Sequence, residues 1–304
     1  MDNAPLHPRR FVRNLLSLRY REVTMTAATG TVVALSIVLF PGVDNVLAGI
    51  DGGVSAGTLL VLLLVATLSG VVKGVVGFGA SLLATPIFAI IIDPTVAVIV
   101  LAVMPWMMNI FQIGETRTGL AYVREDWPLV VLAIVGTVLG LYLLASIELG
   151  AAVPFLIGVL LVAYVGYEIL TGFVTIDGID HPVVSSVVGF SHGFLIAVSN
   201  MGPVHPAYLH TIERDIERYV GGLSIVLAII LSLRLVMMYP LGLLTPYRLW
   251  LGSAIATASI GGLLLGTVLR RLGLDQSLFD RAVIVLLCVL GLNLLRQTAP
   301  DVVL

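Results

Sequence analysis

Charged residues are scarce in this chain of 304 residues. Asp, Glu, Lys and Arg make up 11% of it, whereas a water-soluble domain carries about 25%. Hydrophobic residues account for 59%, and the mean hydropathy is +1.09. These values exclude a soluble globular protein and predict an all-α integral membrane protein. The net charge of −2 lends no support to a nucleic-acid partner, and the lipid bilayer is the expected environment.

Cysteine is almost absent as well. The single cysteine, Cys288, lies in an apolar stretch, which excludes an internal disulfide and a thiol metal cluster. A lone buried thiol behaves as a small hydrophobic residue. The sequence contains no H-E-x-x-H pattern, and we expect neither a metal nor another cofactor.

Two of the apolar segments are unusual. A membrane helix needs about 20 apolar residues, but segment 57–92 is too long for one crossing and carries Gly77-Phe78-Gly79 near its middle. Segment 183–210 is broken by Asn200-Met201-Gly202-Pro203. The remaining segments are expected to be uninterrupted helices: 24–43, 94–113, 128–147, 151–172, 220–240, 246–269 and 280–296.

The chain also repeats itself. Gly70 precedes Gly77-Phe78-Gly79 as Gly193 precedes Asn200-Met201-Gly202, and the pair Gly136 and Gly140 returns as Gly262 and Gly266. Glycine pairs of this spacing let membrane helices approach closely. Broken helices at matching positions of two halves are typical of secondary transporters, with the site between the repeats. We predict a basic N-terminus (1–23), an anchor helix and loop (24–56), repeat 1 (57–173) and repeat 2 (183–297).

Arginine placement predicts the topology, because cytoplasmic loops carry an excess of positive residues. If segments 57–92 and 183–210 are helical hairpins that enter and leave on one face, twelve of the sixteen Lys and Arg residues share the cytoplasmic side with the N-terminus. Gly119 and Asp275 are then cytoplasmic and Gly52 is external. The two repeats become an inverted pair, each a hairpin plus three transmembrane helices. Two parallel bundles of four simple crossings remain an alternative, as does cleavage of the first segment after Val46-Leu47-Ala48.

The two hairpin breaks are the candidate binding site. Backbone at membrane depth that is not helical must line an enclosed or water-filled cavity. Free amides at a half-helix N-terminus attract an anion. The candidate residues at the first break are Gly77, Gly79 and Ser81, and those at the second are Asn200 and Gly202.

Positive charge is expected at the same depth. Lys73 is the only lysine in the chain and lies four residues before Gly77. A charge at membrane depth marks a functional site, although both Lys73 and Arg234 could instead extend to the membrane surface. Asn109 in the first repeat lies near the position that is equivalent to Arg234 in the second repeat. This correspondence predicts two polar sites that face one cavity. Glu168 is the only acidic residue predicted within a crossing, which argues against a cation substrate.

Three histidines, His192, His205 and His210, lie along the second hairpin. They could titrate near neutral pH and couple transport to protons. Alternatively, backbone carbonyls could satisfy them.

The motif Gly70-Val71-Val72-Lys73-Gly74-Val75-Val76-Gly77-Phe78-Gly79 resembles the first signature of the TauE/SafE sulfite exporter family, also called the toluenesulfonate uptake permeases. Gly189-Phe190-Ser191-His192-Gly193, followed by Met201-Gly202-Pro203, is similar to its counterpart in the second half. The resemblance covers about residues 57–297. It implies a permease or exporter of the cytoplasmic membrane for sulfite, sulfonates or related sulfur anions. Ala80 and Ser81 stand where the family often has glycines, and Asn200 replaces the glycine expected before Met201.

We therefore expect a transporter and not an enzyme. Its predicted partner is a small inorganic or organosulfur anion, with protons as a candidate coupling ion. The alternatives are an intramembrane enzyme that uses His192 and His205, for which no nucleophile or metal carboxylate is apparent, and a scaffold without transport.

Overall fold

The computed structural model describes residues 8–48, 55–146, 152–171, 180–272 and 276–303. These residues form helices joined by short connections and contain no strand. In chain order the helices are α1 (Pro8–Leu16), α2 (Tyr20–Val38), α3 (Val43–Ala48), α4 (Ala56–Val76), α5 (Ala80–Ile91), α6 (Pro94–Val100), α7 (Val103–Thr116), α8 (Leu120–Glu125), α9 (Trp127–Ser146), α10 (Ala152–Thr171), α11 (Pro182–Ser199), α12 (Val204–Ile212), α13 (Ile216–Met238), α14 (Pro246–Arg271) and α15 (Gln276–Val303).

Seven helical stretches in the described ranges are long and apolar enough to cross a membrane. The chain is therefore a polytopic all-α membrane protein, as the composition predicts. The expected anchor, α2, is not among the seven and packs against α7 and α14. Gly52 and Asp275, used in the topology prediction, lie outside the described residues. The seven stretches are Ala56–Val76, Pro94–Thr116, Trp127–Ser146, Ala152–Leu170, Pro182–Ser199, Glu217–Met238 and Pro246–Leu269.

Both predicted hairpin breaks are present. Gly77 ends α4 at φ +94° and Gly79 begins α5 at φ +93°, a conformation that glycine adopts without a steric penalty. Asn200 ends α11 at φ +57°, in the left-handed region that asparagine tolerates better than most residues. The helices that follow, α5 and α12, have 12 and 9 residues. At 1.5 Å per residue they reach only about 18 and 14 Å, too short to cross a bilayer.

A third break was not predicted. Segment 94–113, expected to be one helix, is interrupted between α6 and α7, where the Ala102 amide donates to the Ile99 carbonyl at 3.2 Å. The cause is Pro105, which has no N–H to offer the carbonyl of Leu101. The carbonyls of Val98 and Leu101 are consequently available to side chains from other helices.

The first hairpin helix of each half packs against a helix of the other half. The first hairpin helix, α4, packs along α14 of the second half, and α11 packs along α9 of the first half. The repeated glycine pairs make both contacts: a Cβ on Gly262 would collide with the Thr67 carbonyl, and one on Gly136 would collide with the Phe190 carbonyl. The close helix packing predicted for these glycines is confirmed.

Two pairs of helices, α6–α7 with α13 and α10 with α15, run in opposite directions where they meet. Along the α6–α7 and α13 contact, Val98 bonds to Arg234, Trp106 to Ser232 and Gln112 to Ser224. Along α10 and α15, Gly158 lies against Leu295 whereas Leu161 lies against Gly291. Ascending numbers on one helix meet descending numbers on the other, so both pairs are antiparallel.

Candidate functional site

Lys73 is buried near the end of α4, with 3% of its surface exposed. Its Nζ donates to Asn109 Oδ1 at 3.0 Å and lies 3.4 Å from the Gly77 carbonyl, which it can also reach as a donor. Gln112 donates to the same carbonyl at 3.0 Å and accepts from Ser224 Oγ at 3.0 Å. These acceptors are all neutral. In the described part of the chain, the ammonium therefore has hydrogen bonds but no ion-pair partner.

A small cavity, here called the inner pocket, lies between the two hairpin breaks. Its volume is about 50 Å³, and since one water needs about 10–15 Å³ by this measure, it has room for roughly four waters or one small oxyanion. Six of the predicted site residues line it: Lys73, Gly79, Ser81, Asn109, His192 and Gly202.

The N-terminus of α5 faces the inner pocket. Gly79 provides no side-chain cap, and the first amide to bond within the helix is that of Leu83, which donates to the Gly79 carbonyl at 3.2 Å. The amides of Ala80, Ser81 and Leu82 therefore have no acceptor in their own helix, and all three residues line the pocket. Free amides at the positive end of a helix dipole favour an anion.

A larger cavity of about 470 Å³, here called the vestibule, adjoins the inner pocket. The two cavities share the lining residues Phe78, Gly79, Leu82 and Pro206. Tyrosines of α10 form part of the vestibule wall, as do His210, Glu213 and Arg214 around the end of α12. A ligand of the inner pocket thus has a larger space beside it.

Arg234 forms a second buried cluster, with 0% of its surface exposed. Its Nη1 donates to Asn200 Oδ1 at 2.7 Å and its Nη2 to the Val98 carbonyl at 2.9 Å, whereas Nε has no partner. Asn200 in turn donates to Thr85 Oγ1 at 3.2 Å and approaches the Leu101 carbonyl at 3.5 Å. The break before Pro105 supplies both carbonyls.

The two clusters have the same composition with the roles exchanged. In the first, the cation Lys73 belongs to the hairpin and the carboxamide Asn109 to the next crossing. In the second, the carboxamide Asn200 belongs to the hairpin and the cation Arg234 to the next crossing. Each hairpin is thus tied to its following crossing by one cation and one carboxamide.

His192 and His205 contact each other across the second hairpin. Their ring centroids are 5.1 Å apart at an interplanar angle of 67°, and both side chains are fully buried. His210 is not part of this pair and lies instead beside Tyr219, with centroids 6.4 Å apart.

The sequence-based site thus divides into three parts. Lys73, Gly77 and Asn109 are joined by hydrogen bonds at the inner pocket, Asn200 and Arg234 form the separate cluster, and the two histidines form the pair. Asn109 lines the inner pocket, whereas Arg234 is not among its lining residues. Ser224 and the free carbonyls of α6 were missed, and Pro105 inside an apolar segment was the signal that could have revealed the carbonyls.

Metal binding finds no support in the described ranges, where no group of three or more His, Cys, Asp or Glu side chains could hold an ion. The histidine pair alone offers two nitrogen ligands, whereas protein metal sites usually supply at least three. The site is one of buried cations, amides and imidazoles.

This combination defines a polytopic membrane protein with a buried, positively charged polar pocket. Residues 62–294 match the family model described as sulfite exporter TauE/SafE, and the chain belongs to that family, which is a family of transporters. The resemblance read from the glycine motifs is confirmed. No curated protein and no solved structure gives a significant match to the chain.

Proposed function

We propose that this protein is a secondary transporter that moves a small sulfur-containing oxyanion, such as sulfite or a sulfonate, across the cell membrane by alternating access. The observation that carries the proposal is the inner pocket, where buried Lys73 has only neutral partners beside the uncapped N-terminus of α5. Membership in the TauE/SafE family supports the class of substrate.

The charge balance of the pocket favours an anion. A buried cation needs compensation, and the buried acid in the described ranges, Glu22, belongs to α2, where it accepts from Asn14 at 2.9 Å. Within the described ranges, no carboxylate therefore supplies a counter-charge to Lys73. An oxyanion has several acceptor atoms, so it can pair with the ammonium and accept from the amides of Ala80 and Ser81 at once.

Alternating access rests on the relation between the two halves. We propose that residues 57–173 and 183–297 are inverted repeats, because the equivalent helices α6–α7 and α13, and α10 and α15, meet antiparallel. Two parallel repeats would place equivalent helices in the same direction. In an inverted pair, each half can adopt the conformation that the other half had. This exchange moves the access path from one membrane face to the other.

The two clusters then occupy opposite sides of the path. The hydrogen bonds at Gln112 and at Val98 are 14 residues apart along α6–α7, which corresponds to about 20 Å of helix. The Lys73 cluster lies beside the vestibule, whereas the Arg234 cluster closes the other end with side-chain and carbonyl bonds. With the arginine-rich loops and the N-terminus in the cytoplasm, the vestibule is cytoplasmic, and the Arg234–Asn200 bond holds the external side shut.

Ligand-dependent thermal stability tests the proposal, because a ligand that binds the folded state raises its apparent stability. Purified protein should be stabilised by sulfite, thiosulfate or a sulfonate and not by neutral amino acids. Gly202→Ala should weaken this response, since its Cβ would lie 2.5 Å from His192 Nδ1. Gly261→Ala is the matched control, because a Cβ there meets nothing within 4 Å. Absence of stabilisation by every anion would contradict the proposal.

A further inference from the structure

The ring nitrogens of His192 and His205 are unusual in having no hydrogen-bond partner. All four are buried, and none makes a hydrogen bond in the described structure. Buried polar groups are nearly always satisfied, and exceptions call for a functional explanation or a missing partner. Here the two rings contact each other edge to face, and the Gly202 backbone lies beside His192.

The position of the pair connects it to the anion site. His192 belongs to α11 and lines the inner pocket together with Lys73. His205 belongs to α12, so the contact joins the two arms of the second hairpin. Gly202, which is part of the break between the arms, lies close enough to His192 that a Cβ would come within 2.5 Å of Nδ1. A change at either ring is therefore transmitted both to the pocket and to the hairpin.

The charged groups near the pair are cations. Lys73 faces the inner pocket from α4, and Arg234 of α13 is bonded to Asn200, two residues before Gly202. The residues that α7 and α13 add to the pocket wall are uncharged: Pro105, Asn109, Leu223, Leu227 and Leu231. Beyond them, Glu168, His210, Glu213 and Arg214 line the vestibule. An empty pocket thus opposes a further positive charge, and a bound anion removes that opposition.

We propose that the His192–His205 pair takes up one proton with each anion, so that the protein carries an anion and a proton together. This rests on the proposed anion transport. The proton binds to a free ring nitrogen when the anion arrives beside Lys73, and it leaves when the anion leaves. A second proton is excluded because two imidazolium charges about 5 Å apart repel each other. At an effective dielectric constant of 20, this repulsion lowers the proton affinity of the second ring by more than about a hundredfold.

Proton uptake per bound anion is the quantity to measure. Thiosulfate and methanesulfonate suit this test because neither takes up a proton near neutral pH, so any uptake belongs to the protein. Titration calorimetry of the wild-type protein at pH about 7, in buffers of different ionisation enthalpy such as Hepes and Tris, gives the number of protons bound with each anion. We expect about one for the wild-type protein and about zero for His192→Gln and His205→Gln.

His181→Gln is the matched control, since exposed His181 caps the start of α11 and lines neither cavity, and it should retain the wild-type proton uptake. Anion binding to the wild-type protein without proton uptake would overturn the inference but leave anion transport intact. Uptake that persists in both His192→Gln and His205→Gln would also overturn it. If neither variant folds, the wild-type measurement alone decides whether a proton accompanies the anion. If no anion binds at all, the proposed function fails first.

Discussion

Replacing Lys73 by methionine should weaken anion binding at least about tenfold without loss of stability. The buried ammonium has only neutral partners, and a charge at membrane depth costs at least about 2.5 kcal/mol. Methionine fills a similar volume without that cost. Asn109 Oδ1 loses its donor, which costs about 1–3 kcal/mol, while the Gly77 carbonyl keeps its bond from Gln112. These terms nearly cancel, so the melting temperature of the ligand-free protein should stay close to the wild-type value or rise.

The effect on the anion is large by comparison. Two unit charges 4 Å apart attract by about 4 kcal/mol at an effective dielectric constant of 20, which corresponds to roughly a thousandfold in Kd. Water that enters the vacated space recovers part of this binding energy, so we expect thiosulfate affinity to fall between about tenfold and a thousandfold. Thermal-shift titration with thiosulfate provides the assay for both quantities.

Two further variants complete the comparison. Lys73→Arg keeps the charge and changes the geometry, so it should bind thiosulfate far better than Lys73→Ala or Lys73→Met. Arg296→Met removes a positive charge from an exposed position of α15 and should leave affinity unchanged. If Lys73→Met binds thiosulfate as tightly as the wild-type protein, Lys73 does not contact the anion and the charge argument is wrong.

Four other predictions follow from the same geometry. Gly79→Val should abolish uptake by folded protein in proteoliposomes, because valine disfavours the φ of +93° at this position. Gly136→Val should chiefly reduce the yield of folded protein, since its side chain meets the Phe190 backbone. Uptake by folded Gly79→Val equal to that of the wild-type protein would assign the break to packing. Asn109→Asp should weaken thiosulfate binding at least tenfold by neutralising the lysine, and unchanged affinity would contradict the pairing. Cysteine at Gly119, where a Cβ meets nothing within 4 Å, should react only with cytoplasmic reagent in a cysteine-free background. Burial raises the pKa of Asp126 above 3.8, so stability should fall as pH rises from that value towards the raised pKa, and melting curves of Asp126→Asn should lack this decline.

Much of the fold could be predicted from composition and glycine placement. Apolar length alone located most of the crossings, and the two hairpin breaks followed from Gly77, Gly79 and Gly202, because glycine clusters are improbable inside an uninterrupted helix. The close contact of α4 with α14 was also foreseeable from the glycine pairs. The inverted arrangement, predicted from the arginine placement in the loops, stays a prediction.

The pairing of side chains across helices could not be predicted. Lys73 and Arg234 were both candidate site residues, with extension to the membrane surface as the alternative. Spacing along the chain does not say which carboxamide each one meets. The break between α6 and α7 was missed because an apolar segment with a proline can stay helical when a neighbour satisfies the freed carbonyl. In this protein Asn200 at the end of α11 approaches the Leu101 carbonyl, and Arg234 of α13 donates to the Val98 carbonyl. The consequence of Pro105 therefore depends on tertiary packing.

The neutral partners of both cations follow from what a transporter has to do with a bound anion. A carboxylate beside Lys73 or Arg234 would neutralise the charge, and an arriving anion would then have to displace a charged competitor. A carboxamide accepts from the N–H groups of the cation yet leaves the positive charge in place. An anion can therefore displace the carboxamide from the cation, and the carboxamide can return when the anion leaves. In the proposed transport, such an exchange would make binding strong enough to attract the anion and weak enough to release it. Since each hairpin has one such cation and one such carboxamide, the same exchange can operate on either side of the membrane.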